Sequence, residues 1–165
     1  MSADKFAVGI AVGCALLALS VATTPRLIWN LTASAPTGLY LVEDASALRR
    51  GDMVLAFAPA DAQHLAAERG YLPSGVPLVK YVAALQGDRI CADGLRVTIN
   101  GGEAAIRPPR DSEDRRLPVW RGCKTLGRYD VFLLNGSVRH SFDGRYFGTI
   151  QRQNIVGKLR PLWVR

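Results

Sequence analysis

The sequence predicts a mainly β fold: a small sheet or barrel domain with one short helix, preceded by one N-terminal transmembrane helix. Three observations predict it. Residues 6–24 carry no charge and are largely apolar, and a helix needs about 20 such residues, with a lower bound of about 17, to cross the hydrocarbon core. Behind that run, short apolar segments alternate with Gly-Asp, Asp-Gly and Asn-Gly dipeptides, the punctuation of tight turns between strands. One stretch, residues 60–69, is bounded by the residues that start and stop a helix, Pro59 and Gly70. A chain of 165 residues is one domain plus at most an appendage. The expected division is 1–26 as the membrane anchor and 27–165 as the exported domain, with 91–130 as an inserted hairpin and loop subdomain.

The apolar run begins after Lys5 and ends at Pro25-Arg26. A cleavable secretory leader is the rival reading, with Ser20-Val21-Ala22 as a small-x-small cleavage site. The length favours an anchor. Either way the rest of the chain is exported if the N-terminus stays inside. The flanking charges hardly decide that, since Asp4 offsets Lys5 and Arg26 lies on the other side. Gly9 and Gly13 form a small-xxx-small pair of the kind that packs helices in membranes, a weak signal in so apolar a run.

Residues 39–42 and 53–57 read as strands on either side of the turn at Leu48–Asp52. The helix at 60–69 follows, and His64 on it has no partner at metal-ligand spacing, so it is a surface residue. Pro77–Leu85 is an apolar strand that contains one lysine. Arg89–Ala92 and Leu95–Ile99 form a hairpin around Asp93-Gly94, and Asn100-Gly101 is a second such turn. Residues 107–118, rich in Pro, Arg and Asp, read as a long exposed loop. Val131–Leu134 is a buried strand by its apolar run.

The net charge is +7 and the pI about 9.8. The basic residues are interleaved with acids and prolines rather than aromatics, and no zinc finger, RNA-binding aromatic motif or helix-turn-helix is present in the sequence. A nucleic-acid partner is therefore disfavoured, and attraction to anionic lipid headgroups accounts for the charge equally well. Cys14 lies in the apolar run as a packing residue. In an oxidising exported compartment Cys91 and Cys123 are natural disulfide partners. The sequence shows no metal-ligand spacing and calls for no cofactor.

Three stretches carry candidate chemistry. In 30–40, Pro36 fixes its own φ and pushes Ala35 towards an extended conformation, while Gly38 permits a sharp turn or a close approach by another chain. Ser34 on this stiffened segment is a candidate nucleophile; an ordinary Ser/Thr/Pro loop is the alternative. In the strand at 77–85, Lys80 shares a face with Leu78 and Val82, where apolar residues point. A desolvated lysine has a lowered pKa, and its neutral amine is a general base near neutral pH. A lysine guarding a sheet edge is the alternative. In 140–148, Ser141, Asp143 and Arg145 share one face if the chain is extended. Such a trio can hydrogen-bond a lysine and lock a turn through the Asp–Arg pair.

Together these stretches resemble the ordered boxes of the serine–lysine type I signal peptidases. The boxes are Ser34-Ala35-Pro36, Gly51-Asp52 with its strand, Lys80 followed by Gly87-Asp88, and Ser141-Phe142-Asp143-Gly144-Arg145-Tyr146-Phe147-Gly148. The sequence is more similar to the conjugative-transfer branch, the TraF type, in Ser34–Tyr40, Glu68–Pro73 and Gly122-Cys123. The resemblance covers residues 6–163. It implies a signal-peptidase-like fold and a single-pass protein of the bacterial inner membrane with a periplasmic catalytic domain. It implies an exported, pilin-like precursor as substrate, cut by hydrolysis or cyclised, and no metal or organic cofactor. By the same resemblance Ser34 is the nucleophile, Lys80 the general base and Ser141 the residue that orients it. Thr32 assists the oxyanion hole beside the Ser34 N–H, and Asp143 and Arg145 form a structural pair. The chain departs from the housekeeping enzymes at Ala35, where those carry Met, at Asn135-Gly136-Ser137, where they carry Gly-Asp-Asn, and at Gly144, where Ser is common. The rival functions are a housekeeping signal peptidase, a non-catalytic membrane-anchored assembly factor, and a Ser–His hydrolase using His64 or His140. The last lacks a Gly-x-Ser-x-Gly elbow.

Overall fold

The computed structural model describes residues 27–165. The apolar run at 6–24, its leader alternative and Cys14 lie outside the described residues. Among the described residues no helix is long and apolar enough to cross a membrane.

Among the described residues eleven strands form two sheets. They are β1 (Leu27–Asn30), β2 (Gly38–Glu43), β3 (Met53–Ala56), β4 (Leu78–Ala84), β5 (Arg89–Asp93), β6 (Arg96–Ile99), β7 (Gly102–Ile106), β8 (Gly122–Thr125), β9 (Asp130–Leu134), β10 (Ile150–Gln151) and β11 (Ile155–Val164). The larger sheet runs β1-β2-β11-β3-β4-β9-β10 and the smaller one β7-β6-β5-β8. Every neighbouring pair is antiparallel. Helix α1 (Ala60–Glu68) follows Pro59 and buries Ala62 and Ala66. A one-turn helix α2 (Gly144–Phe147) is added late in the chain.

The expected strands at 39–42, 53–57, 77–85, 89–92, 95–99 and 131–134 each match a strand of the structure to within a residue or two. The longest strand, β11, has no counterpart in the sequence reading. It is inserted between β2 and β3, so the chain's last segment completes the centre of the large sheet. Its sequence, Ile-Val-Gly-Lys-Leu-Arg-Pro-Leu-Trp-Val, contains a Gly and a Pro that argue against a strand. Both have a physical reason. A Cβ on Gly157 would sit 2.7 Å from the Glu43 carbonyl oxygen and 2.5 Å from Val42. Pro161 lies where the register with β2 shifts, a bulge that tolerates a missing N–H.

Gly38 is the site of a close approach, made by β11 of the same chain. Its φ is +148°, and a Cβ there would lie 2.1 Å from the Trp163 carbonyl oxygen. Gly87-Asp88 ends the turn that carries the chain from one sheet to the other. The Asp88 carboxylate is buried and accepts from the Leu85 N–H at 2.9 Å, Asn100 Nδ2 at 2.7 Å and Arg50 Nε at 2.8 Å.

The core has three centres. Ala84, Phe132 and Leu134 of the large sheet pack on Ile90, Ala92, Val97 and Ala105 of the small one. Val54, Val82, Val131 and Leu133 fill a second cluster, and Ala35, Tyr40, Leu55, Val79 and Leu159 a third. The segment at 107–118 is the loop expected, exposed over most of its length but buried where it begins. Arg107 is buried and donates through Nη1 and Nη2 to the carbonyls of Gly94, Trp120 and Arg145, which replace water there, while its Nε has no hydrogen-bond partner.

Candidate active site

Ser34 sits in the turn between β1 and β2. The conformation of that turn is dictated by Asn30, the buried last residue of β1. Its Nδ2 lies 3.1, 3.2 and 3.0 Å from the carbonyls of Thr32, Ala35 and Pro36 and donates to them. Its Oδ1 accepts from the Thr32 N–H at 3.1 Å and the Thr32 hydroxyl at 2.7 Å. The Tyr40 hydroxyl donates to the Pro36 carbonyl at 2.6 Å, and Ala35 packs into the third cluster. The serine is therefore held on a turn fastened at both ends. Sequence reading missed Asn30. The available signal was an Asn at the start of a loop, where its side chain satisfies nearby backbone groups.

Lys80 lies in the middle of β4, which is paired on both sides by β3 and β9. The edge-strand alternative is thereby removed. The side chain is 3 % exposed and shares a face with buried Val82. Its Nζ lies 2.9 Å from Ser34 Oγ and 3.1 Å from Ser141 Oγ. Burial pushes its pKa down to about 8 from 10.5, the nearby Asp143 carboxylate opposes this, and the Arg145 guanidinium adds to it. A lysine so placed is deprotonated in a useful fraction of molecules near neutral pH.

Ser141, Asp143 and Arg145 are not arranged along an extended strand. Ser141 is in a turn, and Asp143 caps α2, its carboxylate accepting from the Arg145 N–H. The capping propensity of Asp decides this, because a free helix N–H gains a partner there that a strand would not supply. The Asp143 and Arg145 side chains are buried and doubly bonded: Nε to Oδ1 at 2.8 Å and Nη2 to Oδ2 at 3.1 Å. Arg145 also donates to the carbonyls of Ile106, Arg139 and Asn135, so all its N–H groups are used. Gly144 leaves room for this turn, since a Cβ there would lie 2.7 Å from both the Leu133 carbonyl oxygen and the Phe132 ring.

The Thr32 hydroxyl has one proton, and it goes to Asn30 Oδ1, which cannot itself donate. A role for that hydroxyl at an oxyanion requires it to turn. Cys91 and Cys123 stand opposite each other on β5 and β8 and are joined by a disulfide. His64 is 84 % exposed on α1. His140 lines the cleft, but the basic group hydrogen-bonded to Ser34 is Lys80. Among the described residues no group of three or more His, Cys, Asp or Glu is placed to hold a metal ion.

The serine and lysine open into a cleft of about 760 Å³ whose apolar wall includes Ile28, Leu31, Tyr71, Leu78, Val79 and Phe142. One side is closed by Asp111, which binds the Tyr71 hydroxyl and Arg115. Desolvation pushes the Asp111 carboxyl up, but these hydrogen bonds and those from backbone N–H groups outweigh it and hold the group well below the usual carboxylate range. A buried amine beside a half-exposed hydroxyl, at the floor of an apolar cleft between strands, has the parts for acyl transfer on an extended peptide.

A family model described as "Signal peptidase, peptidase S26" matches residues 4–163. The chain belongs to that family and is a peptidase. It is 34% identical to a plasmid transfer protein TraF of Escherichia coli, over 94% of this chain and 93% of that protein. It is 36% identical to a conjugal transfer protein TraF of Agrobacterium fabrum, over 92% of each. Within the family, then, the chain is of the TraF type. Among solved structures, a signal peptidase I from Enterococcus faecalis aligns with a TM-score of 0.41 at 18% identity, over 70% of this chain and 98% of that one.

Proposed function

We propose that this chain is a membrane-bound serine endopeptidase that processes an exported precursor, a pilin-like protein of a conjugative transfer system. The observation that carries the reading is the 2.9 Å contact between Lys80 Nζ, buried and depressed in pKa, and Ser34 Oγ. Neutral Lys80 takes the Ser34 hydroxyl proton as Oγ bonds to the scissile carbonyl carbon. The Ser34 N–H, with the Thr32 hydroxyl once it has turned from Asn30, stabilises the oxyanion; one such donor is typically worth about 3–4 kcal/mol. The C–N bond then breaks, and the leaving amine takes the proton back from Lys80. Water, or the amino terminus of the substrate itself, releases the acyl group, giving a linear or a cyclic product. Ser141 holds the lysine side chain towards Ser34 throughout. Residues 6–24 place the domain at the periplasmic face of the inner membrane.

The relatives' conjugal-transfer names support the choice of substrate system. The test is co-expression of the full chain with a candidate pilin precursor, following the precursor's mass. Processing is expected with wild type and lost with Ser34→Ala and Lys80→Ala at unchanged protein levels. Processing that survives either substitution sinks the reading. The product mass separates linear from cyclic release.

A further inference from the structure

We infer that Asn135 is the positioning residue that sets Ser34 against Lys80, its buried carboxamide tying the nucleophile's own carbonyl to the strand that carries the lysine. The inference rests on the Ser34–Lys80 reading above and adds the element that holds the two together. Asn135 follows the last residue of β9 and is 2 % exposed. Its Nδ2 donates to the Ser34 carbonyl and lies 3.4 Å from the Val79 carbonyl, and its Oδ1 accepts from the Tyr81 N–H at 3.3 Å. Val79 and Tyr81 flank Lys80. On an extended strand the carbonyl before a residue and the N–H after it point the same way, so one amide can take both. The pairing of β4 with β9 reaches Tyr81 opposite Leu134. One residue further on, the Asn135 side chain acts in place of a peptide group and continues the ladder past Lys80. Its second N–H is free to reach the Ser34 turn.

The chemistry selects the residue. The task needs one acceptor and two donors on one short planar group, which a carboxamide has and a carboxylate or hydroxyl does not. The Asn135 backbone is itself fixed by the buried ion pair: its N–H donates to Asp143 Oδ2 at 3.0 Å, and its carbonyl accepts from Arg145 Nη2 at 2.9 Å. The Asp143–Arg145 pair thus reaches Ser34 through Asn135. Asn30 braces the serine turn from within, whereas Asn135 fastens it across the sheet to the base. Displacing a reacting group by about 1 Å costs on the order of 100-fold in rate, so a single clamp between two distant segments is enough to govern the dyad.

The test is acylation of the full chain by a small activated ester, p-nitrophenyl acetate, which needs no knowledge of the natural substrate. Wild type, Asn135→Ala, Asn135→Ser, Ser34→Ala and Lys80→Ala are compared. Two quantities are read: the end-point amplitude of labelled Ser34, which counts folded sites, and the acylation rate constant, which reports geometry. The expected result is a rate constant lowered on the order of 100-fold in Asn135→Ala, with the amplitude kept. Asn135→Ser fills part of the space and keeps one donor, so it carries the test if the alanine variant fails to fold; its rate constant is expected to fall too. A wild-type rate constant in whichever Asn135 variant folds, with or without a lower amplitude, overturns the proposal and leaves Asn135 a structural residue. Ester cleavage by Ser34→Ala, or acylation of Lys80→Ala, with the wild-type rate constant would instead overturn the dyad reading, and this inference with it.

Discussion

Replacing Lys80 with methionine removes the one basic group hydrogen-bonded to Ser34 while keeping its bulk, and the structure fixes how the stability difference must vary with pH. In the folded chain the lysine titrates near 8, against 10.5 when solvated. A gap of about 2.5 units corresponds to about 3 kcal/mol. The folded pKa is the lower of the two, so the penalty is fully present below pH 8, where both folded and unfolded chains hold the proton. Between 8 and 10.5 the unfolded chain binds a proton that the folded one has released, and stability rises with pH. Wild type should therefore gain about 3 kcal/mol over Lys80→Met between pH 7 and 11, nearly all of it above pH 8. Urea unfolding of both proteins across this range measures it, because groups common to the two cancel in the difference. The same burial sets the rate. At pH 7 roughly one lysine in ten is neutral, against roughly one in three thousand for an unperturbed one. Acylation of Ser34 should thus rise about tenfold from pH 7 and level off above 8. A stability difference independent of pH, or a rate still climbing at pH 10, would show that Lys80 is not the desolvated base described here.

Three further outcomes follow from the packing. Asp143→Asn leaves the buried Arg145 guanidinium without its counter-charge and should destabilise the fold by about 3–5 kcal/mol, read by chemical denaturation; wild-type stability would mean the pair is not energetically coupled. Gly38→Ala puts a Cβ 2.1 Å from the Trp163 carbonyl oxygen, so β2 and β11 must part; a melting temperature lowered by several degrees, with hydrogen exchange loosened in both strands, is expected. The bond between Cys91 and Cys123 closes a loop across a separation of 32 residues. Replacing both cysteines with serine should cost about 3–4 kcal/mol on the chain-entropy estimate, with the loss concentrated in the small sheet.

Much of this protein could be read from local residue patterns. Strand alternation put Lys80 on an apolar face, and that reading needed only the neighbours Leu78 and Val82. Pro59 and Gly70 bracketed α1 because helix ends are decided by the residues at the ends. The boxes around Ser34, Lys80 and Ser141 were visible because each is contiguous and they recur in a fixed order. What could not be read were the relations between distant segments. β11 pairs with β2 and β3, and it was hidden because Gly157 and Pro161 are poor strand formers by themselves and are explained only by Val42, Glu43 and the bulge beside them. Asn30 and Asn135 looked like ordinary polar residues, since a carboxamide's importance lies in the carbonyls it reaches. The late Ser-Asp-Arg trio would share a face only if extended; capping of α2 outweighs extension, and the turn is locked by the Asp143–Arg145 pair.

The sequence alone therefore determined which groups the protein has for its chemistry and the local geometry that each contiguous stretch prefers. Only the tertiary structure decided that the Lys80 amine is desolvated, that it faces Ser34 across 46 residues of chain, and that Asn135 fastens the two. Desolvation and distance are properties of what surrounds a group. Here the surroundings come from β3, β9, the serine turn and α2, segments that no local pattern relates to one another.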